Sequence, residues 1–108
     1  MPSSRSRTLA GVNRNLIERR LRELSAQLRD LRQELTVVDE QLGSLAGVAD
    51  DARLRSLVSE TPLAEREHRE ASRHADAMSR HRDEVVNDIA RLELQQDYLL
   101  DRLTGSSD

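Results

Sequence analysis

The chain has no cysteine, tryptophan, phenylalanine or lysine, and Tyr98 is its single aromatic residue. Without cysteine there is no disulfide, no thiolate nucleophile and no cysteine-ligated zinc. An aromatic share of 1% over 108 residues argues against a compact, many-sided core, whose centre needs bulky side chains. No run approaches the roughly 18 consecutive apolar residues of a membrane-spanning helix. The basic start, Met1 to Arg7, is not followed by the apolar stretch of a signal peptide. A cytoplasmic protein is the expectation. Only four glycines and two prolines interrupt the chain, so long helices meet few breakers.

What is present is a period. Ile17, Leu21, Leu24, Leu28, Leu31, Leu35, Val38, Leu42 and Leu45 are spaced alternately four and three residues apart. A second series of the same kind runs Ala71, Ala75, Met78, Arg82, Val85, Ile89, Leu92, Gln96, Leu99 and Leu103. A repeat averaging 3.5 residues lays one apolar seam along a helix, and that seam must be buried against another helix. Charged residues make up 34% of the chain, a composition shared with disordered segments, but disorder has no reason to keep a period. The expected fold is all-α: a long antiparallel helical hairpin, or two-helix coiled coil, with a short helical or irregular tip.

Capping signals set the expected boundaries. Residues 1–8 read as a flexible basic arm and 9–46 as the first helix, with Asn13 able to cap it and Gly47 as its stop. A tip follows over 47–61, either a ragged loop or a short helix capped by Asp50 or Asp51, with Leu54, Leu57 and Val58 on one face that folds onto the ends of the long helices. Thr61 then serves as N-cap and Pro62 as first residue of the second helix, 62–104, with Glu65, Glu67 and Glu70 near its positive end. Residues 105–108 read as a flexible C-terminus. Antiparallel pairing that keeps the two seams together allows partner numbers summing to 113 or to 106. The sum of 113 gives the longer overlap, with Leu28 facing Val85 and Leu35 facing Met78, and is preferred because it buries Leu99 and Leu103.

Chemistry is poorly represented. No Gly-rich phosphate loop, nucleophile elbow or Ser–His–Asp arrangement occurs, and a two-helix seam provides no pocket that excludes water. A non-enzymatic protein with no cofactor is expected. His68, His74 and His81 are spaced six and seven apart rather than the three or four that a helical metal pair needs, so no metal site is expected. His68, Arg82 and Gln96 break the apolar seam; each either reaches to the edge or fixes register at a cost in stability.

Leu16, Leu94, Tyr98 and Leu100 lie off the seam, with Leu94 and Tyr98 one turn apart on the outer face of the second helix. They are the candidate protein-interaction residues, and a homodimer forming a four-helix bundle is the natural way for a thin hairpin to gain stability. Net charge is −3 but uneven, +5 up to Arg32 and −8 beyond. The early arginines Arg5, Arg7, Arg14, Arg19, Arg20 and Arg22 are a solvated helix face or, in a sharper reading, a basic arm that contacts an acidic partner or nucleic acid. No aromatic or Gly-rich pattern accompanies them, so nucleic acid is the lesser expectation.

Asp50 and Asp51, within Ala49–Asp50–Asp51–Ala52–Arg53, fall at the expected tip, before a charged return helix with Ala64–Glu65–Arg66–Glu67–His68. Over Leu16 to Leu103 this resembles in outline the Gre transcript-cleavage factors and the DksA-type regulators. Their hairpins place tip acids in the secondary channel of RNA polymerase. The resemblance implies a transcription regulator acting through Asp50 and Asp51, although here the two acids are adjacent and the DksA-type tip separates its own. The leading expectation remains an interaction module or adaptor in a cytoplasmic assembly, self-associating, with a protein partner. The transcription regulator and the nucleic-acid binder are the alternatives.

Overall fold

The computed structural model describes the backbone of residues 2–105 and the side chains of residues 13–105. It is all-α. Helix α1 spans Pro2–Ser59 and helix α2 spans Pro62–Gly105, with no strand among the described residues. Both prolines stand first in their helix, where a missing N–H costs nothing. Only Glu60 and Thr61 separate the helices. The 5-residue bond from Glu60 N to Ser56 O, 3.1 Å, closes α1, and Glu60 turns the chain with a φ of 48°, in the left-handed region. Thr61 caps α2 as its sequence position implies, its hydroxyl accepting from Ala64 N at 3.2 Å.

The chain divides into two compact units, each an antiparallel pair of helical segments. Unit 1 joins the chain up to Leu31 to the chain from Asp88 onward, and unit 2 is Arg32–Asn87. In unit 1, Leu24, Leu28 and Leu92 form a buried cluster, with Leu31, Ile89 and Leu99 packed against it. In unit 2 the buried apolar residues are Val38, Ala52, Ala64 and Val85. The seam therefore holds leucine in unit 1 and turns to alanine near the turn of unit 2.

Two expectations are corrected. The first helix does not stop at residue 46, and residues 47–61 are not a separate tip. Gly43 and Gly47 lie inside α1; no glycine has a positive φ, and nothing comes within 4 Å of the space their Cβ atoms would fill. The alternation of four and three continues past Leu45 through Ala49, Ala52 and Ser56, all at least partly buried. These small residues keep the seam going at the same period, which is why the helix continues.

The longer helix moves the register by one heptad. Gln96 donates to Ser25 in unit 1 and Arg82 donates to Asp39 in unit 2, and both pairs of numbers sum to 121. The apolar cluster of Leu24, Leu28 and Leu92 with Leu31, Ile89 and Leu99 fits this register, in which Leu28 and Leu92, and Leu31 and Ile89, stand level at a sum of 120. The pairings at 113, such as Leu28 with Val85, do not form the seam. A two-residue turn centred between Glu60 and Thr61 requires this register, whereas a fifteen-residue tip would have allowed the shorter one. The expected boundaries of the flexible ends fare differently: α1 begins at Pro2 rather than near Leu9, and residues 106–108 lie outside the described residues.

Candidate functional site

The two polar seam residues of α2 share one solution. Gln96 and Arg82 are two heptads apart, and each reaches the residue just beyond the facing seam position of α1. Gln96 Nε2 donates to Ser25 Oγ at 3.5 Å, and Arg82 Nε donates to Asp39 Oδ1. The aliphatic stem of Arg82 stays half-buried while its head finds a carboxylate at the rim. A second pair of contacts repeats at the same interval on the other flank: Arg20 to Gln95 Oε1 at 3.2 Å, and Glu34 Oε1 with His81 Nε2 at 3.1 Å. Such flanking pairs orient an antiparallel coiled coil. They lie at or near the solvent, so each contributes little stability.

All four candidate interaction residues are exposed. Leu94 and Tyr98, at 70% and 62%, are one turn apart on the outer face of α2, with the Arg102 guanidinium 5.9 Å from the Tyr98 ring centre. Leu16 and Leu100 are exposed in the same unit, but the register does not gather all four. Tyr98 lies level with Glu23, a heptad from Leu16, or roughly 10 Å along the axis. Leu100 lies on the opposite flank of the seam from Tyr98, on the heptad position that Val86 also occupies.

The basic stretch is a surface of mixed charge. Arg14 pairs with Glu18 at 3.3 Å, Arg19 with Glu23 at 3.9 Å, and Arg20 with Glu23 at 3.3 Å. Arg22 is exposed on the same helix. The side chains of Arg5 and Arg7 lie outside the described residues. Among the described residues no helix is long and apolar enough to cross a membrane, and no three His, Asp or Glu gather where a metal ion could sit.

The acids expected at the tip are not there. Asp50 and Asp51 are exposed on α1, nine and eight residues before it ends at Ser59, and the turn itself carries only Glu60. The geometry behind the resemblance to the secondary-channel factors is therefore absent at these two positions.

The end of unit 2 holds exposed apolar surface, where a short tip helix was expected to fold its Leu54, Leu57 and Val58 face onto the long helices. Leu54, Leu57 and Val58 on the last turns of α1 and Leu63 on the first turn of α2 are exposed, Val58 to 86%. Val48 is exposed beside a groove of about 530 Å3 lined also by Ala52, Ala71, Arg55, Glu67 and Glu70. The spacing of 54, 57 and 58 marks a shared helical face, but that face belongs to the end of α1 and points away from the seam. Compared with family models, characterised proteins and solved structures, the chain has no significant match.

Proposed function

We propose that this chain is a non-enzymatic helical-hairpin interaction module, working as an adaptor or scaffold element in a cytoplasmic assembly and associating with itself. The observation that carries the reading is the large apolar surface left outside the seam in both units, Leu94 and Tyr98 in unit 1 and Val48, Val58 and Leu63 in unit 2. Side chains of this size gain about 1.5–3 kcal/mol each when moved from water into a packed interface. A two-helix seam with alanine, arginine and glutamine in it buries little by comparison, and a second layer of helices offsets the deficit.

Analytical ultracentrifugation over a range of concentrations tests this reading. A mass of twice the chain, dissociating on dilution, is the expected result. A single-chain mass at every concentration removes self-association and leaves the outer residues to a different protein.

A further inference from the structure

Near its turn, unit 2 inverts the usual distribution of side-chain size. The seam there holds Ala49, Ala52, Ser56, Ala64 and Ala71, whereas Val48, Val58 and Leu63 stand outside it and more than half exposed. An alanine seam removes little apolar area from water, since each buried carbon group is worth only about 0.8 kcal/mol. Beside that seam runs the open groove of about 530 Å3, with Ala52 and Ala71 in its floor. Its α1 wall carries Arg55 and its α2 wall carries Glu67 and Glu70. Val58 is one turn beyond Arg55 and Leu63 one turn before Glu67, so both extend the walls to the turn.

We propose that this groove face is the surface on which a second copy of the chain docks, two hairpin ends stacking as a four-helix bundle about a two-fold axis along the groove. The proposal rests on the self-association reading and gives it a location. A two-fold in that direction lays α1 of one copy over α2 of the other. Residues level with each other in one hairpin then meet across the interface: Val58 faces Leu63 of the second copy, and Arg55 faces Glu67 of the second copy. Symmetry makes each contact twice. Apolar thus meets apolar, and base meets acid, without any further partner.

Area and charge favour a second copy over other occupants. Val48, Val58 and Leu63, exposed to 52%, 86% and 61%, are three side chains and fall short of the about 800 Å2 per partner in a stable interface. A pair of helices lying along the groove supplies the rest from both walls, which a small ligand or a single loop does not. Between Val48 and His74 there are six carboxylates and five arginines. Two copies therefore repel little, and an anionic membrane or nucleic acid finds no net positive charge to draw it.

Sedimentation equilibrium on three proteins tests the location: the unaltered chain, Val58→Ser with Leu63→Ser, and Leu94→Ser with Tyr98→Ser. All four residues are exposed, and circular dichroism checks that helicity is kept. The expected result is a dimer whose dissociation constant rises at least about tenfold in the first variant and stays unchanged in the second. A rise confined to Leu94→Ser with Tyr98→Ser overturns the groove as the interface and leaves self-association standing. A monomer at all concentrations in the unaltered chain overturns both.

Discussion

Arg82 reaches out of the apolar seam to Asp39, 43 residues earlier in the chain, and so marks the register of unit 2. Its position in the heptad is that of Ile89, and leucine would fit there by pattern. With side chains 38% and 47% exposed, the pair is screened by water. A double-mutant cycle on Arg82→Ala and Asp39→Ala should give a coupling below about 1 kcal/mol. Arg82→Leu should hold or raise the melting temperature while weakening the preference for one register. A coupling of several kcal/mol would mean that the pair is far less solvated than the structure has it.

The path of α1 makes a prediction of sign. Gly43 and Gly47 have helical backbone and open space where a Cβ would stand. Replacing either by alanine should stabilise the protein by about 0.5–1 kcal/mol. If Gly47 instead ended the helix in a left-handed conformation, Gly47→Ala would destabilise it. Thermal unfolding of the two single variants separates these cases.

The turn should respond in two directions. Thr61→Ala removes the side-chain acceptor of Ala64 N and should cost about 0.5–2 kcal/mol. Glu60 holds a φ of 48°, where a side chain is strained by roughly 1–2 kcal/mol, so Glu60→Gly should raise stability. Opposite shifts in denaturant midpoint are expected, and equal effects of the two changes would count against this turn.

Stability should be concentrated in unit 1. Leu24 and Leu28 are the largest fully buried side chains, at 0% and 1% exposure. Leu24→Ala or Leu28→Ala should cost about 2–5 kcal/mol. Leu54→Ala, on a side chain 55% exposed, should change the stability of a single chain by less than about 0.5 kcal/mol. Chemical denaturation at a concentration below any self-association reads both.

Much of this fold is legible in the residues. The alternation of four and three from Ile17 to Leu45 and along α2 marks both seams, and Thr61 with Pro62 marks the start of α2. The end of α1 was hidden for a physical reason: beyond Leu45 the seam positions are filled by Ala49, Ala52 and Ser56, which carry too little hydrophobicity to show a period. Two glycines and two aspartates nearby then imitate a helix stop and a new cap. Register was hidden more deeply, because moving one helix past the other by seven residues returns seam positions to seam positions. Pattern alone does not separate the sums of 106, 113 and 120, and only the length of the turn does. The displacement of Asp50 and Asp51 from the expected tip has the same origin. The outer position of Leu94 and Tyr98 is legible because their helix is placed correctly, whereas Val58 falls on an expected short tip helix and Leu63 is not singled out, because the pattern does not locate the turn between them.

The register decides which residues of α1 and α2 lie level with each other, so the facing of Val58 with Leu63 and of Arg55 with Glu67 in the proposed interface depends on it. The chain has no cysteine, and pairs can be introduced without a background. Ser25→Cys with Gln96→Cys joins two side chains whose polar atoms lie 3.5 Å apart, and Ser25→Cys with Ile89→Cys, one heptad back along α2, tests the register at 113. At high dilution under mild oxidation, the first pair should form an intramolecular disulfide rapidly and the second should not. Rapid closure of the Ser25–Ile89 pair, with the Ser25–Gln96 pair left reduced, would contradict the register and with it the facing of Val58 and Leu63 across the proposed interface.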